Sequence, residues 1–170
     1  MPTSQSFLPK DYEYKESGSD FYKLVEGDNK FRVLTPAVVG VEGWKDNKPF
    51  RRGGPDATID ESEVDIDQKY NKPKINSFWA FMVWSYRDGK PMLLQLNQKT
   101  IQKSILKLTE DDDWGSPMEY DINVIRSEDG GRVSYTVTPT PPKPLKADVQ
   151  KAVDAAKDSF DVEKALSIES

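Results

Sequence analysis

Phe78, Trp79, Phe81, Trp84 and Tyr86 crowd into a short stretch that ends on Arg87 and Lys90. Rings stack on nucleobases of any sequence, and cations meet the phosphates between them, so these residue types at this spacing suit a single-strand stacking platform. Which rings are available depends on how the chain alternates. Asp88-Gly89 signals a two-residue type I′ turn, which predicts Arg87 opposite Lys90, Ser85 opposite Met92, Val83 opposite Leu94 and Phe81 opposite Leu96. Trp79, Phe81 and Val83 then share a wholly apolar face with Met92, Leu94 and Leu96, which is the better core. Phe78, Met82, Trp84 and Tyr86 share the opposite face with Leu93 and Gln95, and Arg87 and Lys90 stand at the tip. On that face Trp84 and Tyr86 either stack on bases or pack beneath another segment. Phe78 and Met82 lie nearer the strand's start, where a helix or loop could cover them.

A second aromatic-basic group, Trp44, Phe50, Arg51 and Arg52, stands just beyond the first long strand. Arg32 alternates with Phe31 and Val33, so it points away from the core, toward a phosphate or toward a carboxylate, as surface cations commonly do. Lys72 and Lys74 lead into the hairpin at the end opposite its tip. Lys99, Lys103 and Lys107 recur at helical spacing and read first as a solvated face, second as phosphate contacts. Asp111-Asp112-Asp113 and the acids between 56 and 67 offer hard oxygen ligands, but consecutive loop aspartates do not converge as a nuclease centre does. Glycine-rich phosphate loops are absent.

With 170 residues the chain suits one domain with extensions. It has no Cys and no His, which excludes disulfides, thiolate metal sites and the commonest general base. No enzymatic activity, metal or cofactor is expected. The net charge of −5 conceals segregation along the chain. From Tyr70 to Leu108 seven cations face the single acid Asp88, a balance of 7 − 1 = +6, whereas the stretch from Asp56 to Asp67 carries six acids and no cation. The aromatic hairpin is therefore also the basic segment. No apolar run is long enough for a membrane span, and the first twenty residues lack the pattern of a signal peptide, so the expected compartment is the cytoplasm.

Residues 1–20 carry Pro, Ser, Gly and charge without periodicity and read as a flexible arm. A domain is expected over 21–144. It opens with a long strand from Lys30 to Trp44, bent or bulged at Pro36 and Gly40, followed by a mostly irregular insertion over 45–73. After the hairpin, Gln98 to Glu110 is predicted as a helix burying Ile101, Ile105 and Leu108, followed by strands at 120–126 and 132–138. The proline-rich TPTPPKPL segment ends the sheet, and 145–170 is a tail with a weakly apolar helix over 147–157. Its last residues, from Asp158, balance at 1 − 4 = −3 and either detach or pack as a short amphipathic helix through Phe160, Val162, Leu166 and Ile168. The fold class is therefore mainly β, a five-stranded barrel with one helix between its third and fourth strands plus a C-terminal helical tail. That order is the order of the OB-fold.

The segments GDNKFRVLTP, FWAFMVWSYRDGKPMLLQLNQKTIQKSIL and DDDWGSPMEYDINVIRSEDGGRVSYTVTPTP together resemble the single-stranded-DNA-binding, helix-destabilising proteins of tailed bacteriophages. The resemblance spans about residues 20–144. It implies an OB-fold that coats single-stranded DNA during phage replication, recombination and repair, in the host cytoplasm, with a C-terminal segment that contacts replication or recombination proteins. The chain departs from that family in lacking a Cys/His zinc subdomain and a dense acidic C-terminus ending in an aromatic. A single-stranded RNA-binding module and a protein-interaction domain using the aromatic face are the alternative readings.

Overall fold

The computed structural model describes Phe7 and residues 21–157, 161–166 and 168, so the expected N-terminal arm otherwise lies outside the described residues. The first long strand is present as two pieces, β1 (Gly27–Val33) and β2 (Val38–Lys45), separated at Pro36, which has no N–H to give a ladder. Both pieces lie along one edge of the eleven-residue β6 (Ile75–Ser85), β2 against its first half and β1 against its end. Gly40 continues β2 without a break. It is needed because a Cβ there would run into the backbone carbonyl of Arg52 and, at 3.0 Å, the ring of Phe78.

The 45–73 insertion, expected to be mostly irregular, carries a hairpin and further short regular elements between its turns. Asp46 and Asn47, both at positive φ (53° and 65°), make the two-residue turn that folds β3 (Lys48–Gly53) back on β2. A 3₁₀ turn at Glu61–Glu63 follows, closed by a capping box between Asp60 and Glu63, and β4 (Ile66–Asp67) then pairs with β5 (Lys72–Pro73). Many of the insertion's acids thus serve its own folding.

The central hairpin of β6 and β7 (Lys90–Leu96) forms, but its register differs from the expected one by two residues. Ser85 pairs with Lys90, Val83 with Met92, Phe81 with Leu94 and Trp79 with Leu96. The turn uses Tyr86–Gly89. The Gly89 N–H donates to the Ser85 carbonyl at 2.7 Å, while Asp88 N–H donates to Ser85 Oγ and that hydroxyl donates to Asp88 Oδ2. These side-chain bonds make the four-residue connection preferable to a bare Asp-Gly turn. A shift of two keeps every side chain on its predicted face.

Helix α1 (Lys99–Glu110) buries Ile101 and Ile105 and leads to the hairpin of β8 (Asp121–Asp129) and β9 (Arg132–Pro139), turned at Gly130-Gly131 with both glycines at positive φ. Then come α2 (Ala147–Ala156) and the short α3 (Val162–Ala165). The main sheet is antiparallel in the order β3-β2-β6-β1-β8-β9, with β7 on the other edge of β6. The mainly β class is as expected; among the described residues no ladder joins β7 to β9, so the sheet is not closed into a barrel, and α1, which follows β7, packs against β9. The main core lies under the odd-numbered face of β6 and holds Phe31, Val33, Phe81, Val83, Leu94, Leu96, Ile101, Tyr120 and Ile122. Among the described residues no helix is long and apolar enough to cross a membrane.

Candidate nucleic-acid interface

The even-numbered face of β6 points away from that core, and most of it is covered by the chain's own C-terminal segment. Phe78 is fully buried, packed with Ala80 and Leu93 beneath Val162 of α3 and Leu166 just after it. Met82 lies partly buried against the same cluster. Neither is available to a base, because the apolar side chains around α3 need an apolar partner and this face is the one the core leaves over. The packing alternative for the tail is thus the one realised, through Val162, Leu166 and Ile168; Phe160 lies outside the described residues.

Trp84 is also buried, against expectation, with 7% of its surface exposed. It pairs across the ladder with Arg32, which pairs with Asp121, so the three share one row on the outer face. Asp121 is wholly buried and accepts from Arg32 Nε at 2.8 Å and from the Tyr86 hydroxyl at 2.7 Å. Arg32 Nη2 donates to the Lys143 carbonyl in the proline-rich strap that crosses the row. The sequence allowed Arg32 a phosphate or a carboxylate, and the carboxylate has it. Burial, then the hydrogen bond to Asp121, push the Tyr86 phenol up to about 12. Tyr86 keeps 39% of its surface exposed.

The other predicted cations near the hairpin are mostly engaged with protein. Arg51 bonds Glu42, Gln95 and the Leu166 carbonyl, and Gln95 in turn donates to Glu42 and Asn97. Arg52 grips Glu63 with both terminal nitrogens at 2.9 Å and lies over the ring of Phe50, which itself faces Gly43. These contacts hold Glu63 down to about 2. Arg87 donates to Asn29 and the Lys23 carbonyl and covers the ring of Tyr22. Lys90 stands exposed at the hairpin's end.

What stays open is the far end of the same face. Trp44, Lys72 and Lys74, all named from sequence, line a groove of about 760 Å³ together with Tyr70, Asn76 and Lys99. The backbone N–H of Trp44 donates to the Lys74 carbonyl, which ties the end of β2 to the entry of β6. Tyr70 is 63% exposed, with Lys69 over its ring at 5.2 Å. Asp67 is the acid on the groove wall. Tyr70 escaped the sequence reading, although the run Lys69-Tyr70-Asn71-Lys72 carries the aromatic-between-cations signal that singled out the hairpin. Lys99 was assigned first to a solvated face and instead borders this groove. No protein-family model matches the chain, and no curated protein matches it.

Proposed function

We propose that this protein binds single-stranded DNA without strong sequence preference, by stacking and phosphate contact in the groove of Trp44 and Tyr70. The observation that carries the reading is the groove itself, two ring-bearing residues among Lys72, Lys74 and Lys99 in an open channel. Rings of this kind take a base only when it is unpaired, which selects single strands over duplex. The strand path β9-β8-β1-β6-β7 with a helix between β7 and β8 supports an OB-fold connectivity in which β3, β4 and β5 elaborate the first loop, a usual ligand-contacting element of that fold. The role is passive coating in phage replication, recombination and repair: capture removes single strands from the duplex equilibrium by mass action. Protein contacts through the tail belong to the same reading.

Tryptophan fluorescence titrated with oligo(dT), duplex DNA and matched RNA at two salt concentrations tests it. Quenching by oligo(dT) with a counterion-release slope supports the reading. Equal affinity for blunt duplex overturns it, and preference for RNA moves it to the ribonucleic alternative. Tyr70→Ala and Trp44→Ala are expected to weaken binding by about 1 to 3 kcal/mol each, with Tyr70→Ala leaving the melting temperature unchanged because its ring is exposed.

Deleting residues 158–170 is expected to lower the melting temperature, since Phe78 and Leu93 lose the cover of Val162 and Leu166. It also removes a net charge of 1 − 4 = −3 from the chain, so oligo(dT) affinity at low salt should rise. A truncated protein that melts with wild type would show that α3 does not hold this face in solution.

A further inference from the structure

Asp121 is fully buried and its two oxygens have different surroundings. Oδ1 is saturated by Arg32 Nε and the Tyr86 hydroxyl. Oδ2 accepts no hydrogen bond from any protein group, and its nearest cations, Lys30 Nζ and Lys143 Nζ, each stand 3.8 Å away, beyond hydrogen-bond reach. A buried carboxylate oxygen left in that state is rare and calls for a partner. The carboxylate, Lys30, Lys143 and Tyr86 line a cavity of about 230 Å³, walled otherwise by Pro144, Leu145, Lys146 and Val149 of the strap and the start of α2. That volume lies below the range of about 300 to 1,000 Å³ usual for drug-sized ligands, so it suits one flat ring rather than a whole nucleotide.

We infer that this cavity receives a thymine or uracil base of the bound strand, read through its imide edge by Asp121, Lys30 and Lys143. The inference rests on the single-strand reading above. The polar groups around Oδ2 are one acceptor and two donors, so the matching ligand edge has one donor flanked by two acceptors. The imide of thymine and uracil is that edge: O2, N3–H and O4. Cytosine and adenine would turn a ring nitrogen lone pair toward the carboxylate. Guanine can give N1–H to Oδ2 but then sets its amino group against an ammonium. Pro144, Leu145 and Val149 supply apolar surface for the faces of the ring, and Lys30 and Lys143, whose side chains are 44% and 56% exposed, form the part of the wall that can move aside to admit it. Single-strand binders commonly read a splayed base in this way, on its Watson–Crick edge within a side-chain pocket. The outcome is one base-selective position within otherwise sequence-tolerant binding.

The test uses the full chain and labelled oligo(dT), oligo(dU), oligo(dC) and an oligo(dT) whose thymines carry an N3-methyl group. N3-methylation removes the central donor while leaving a thymine ring to stack. Oligo(dT) and oligo(dU) are expected to bind alike, and about ten-fold or more tighter than oligo(dC) and the N3-methylated strand. Lys143→Met, whose side chain is 56% exposed, should fold normally and flatten that preference. If all four oligomers bind equally, or Lys143→Met keeps the full preference, the cavity inference is overturned while single-strand binding stands. If none binds, both fall together.

Discussion

Replacing Arg32 with Met is expected to lower the unfolding free energy by about 3 to 5 kcal/mol, the cost of stranding one member of a buried ion pair. The side chains of Arg32 and Asp121 are 3% and 0% exposed, so water cannot take over the lost contact. Lys30 and Lys143 soften the loss through their charge but stand too far from the carboxylate to replace the bond. Urea unfolding measures the effect. The double variant Arg32→Met with Asp121→Leu should recover most of the stability, because an apolar pair leaves no charge unmatched. An Arg32→Met protein as stable as wild type would mean that the pair is not formed in solution.

Phe81→Ala is expected to cost a similar amount, about 3 to 5 kcal/mol, for a different reason: it opens a cavity in the main core, where Phe81 is 3% exposed between β1 and α1 residues. Thermal melting reads the loss, and oligo(dT) affinity measured well below the melting temperature should match wild type. A Phe81→Ala protein that folds normally and loses binding would show that the odd-numbered face, not the even one, meets DNA. Trp84→Ala belongs with Phe81→Ala rather than with Tyr70→Ala, since Trp84 lies buried in the row with Arg32 and Asp121.

The division of β6 into two faces was legible because strand alternation depends only on local order. An error of two residues in register leaves Trp79, Phe81 and Val83 inside and Phe78, Met82 and Trp84 outside. The helix from Lys99 and the last hairpin were legible for the same reason, through periodicity and the Gly130-Gly131 turn. Two things were not. The partner of an outward side chain is a long-range fact: nothing near Arg32 in sequence announces Asp121, and nothing near Phe78 announces Leu166. The hairpin of β2 and β3 was hidden because Asp46-Asn47 makes the turn without glycine, between strands that carry as much charge as apolar surface. Trp44 was singled out with the loop after the first strand and Lys72 and Lys74 with the entry to the hairpin; that they line one groove follows from the long-range pairing of β2 with β6.

The pairing of β1 with β8 also sets a schedule for synthesis. Arg32 and Asp121 are 89 residues apart, which at about 5 to 20 residues per second leaves β1 without that partner for roughly 4 to 18 s after it is made. During that interval Phe31 and Val33 belong to a strand with at least one unpaired edge, and with two until β6 is made, the arrangement most open to wrong association between chains. Lys30 and Arg32 alternate with those residues along β1. Before Asp121 exists to receive them, the same two cations keep nascent chains apart by charge repulsion. The arginine of the finished protein's buried ion pair is, on the ribosome, a gatekeeper.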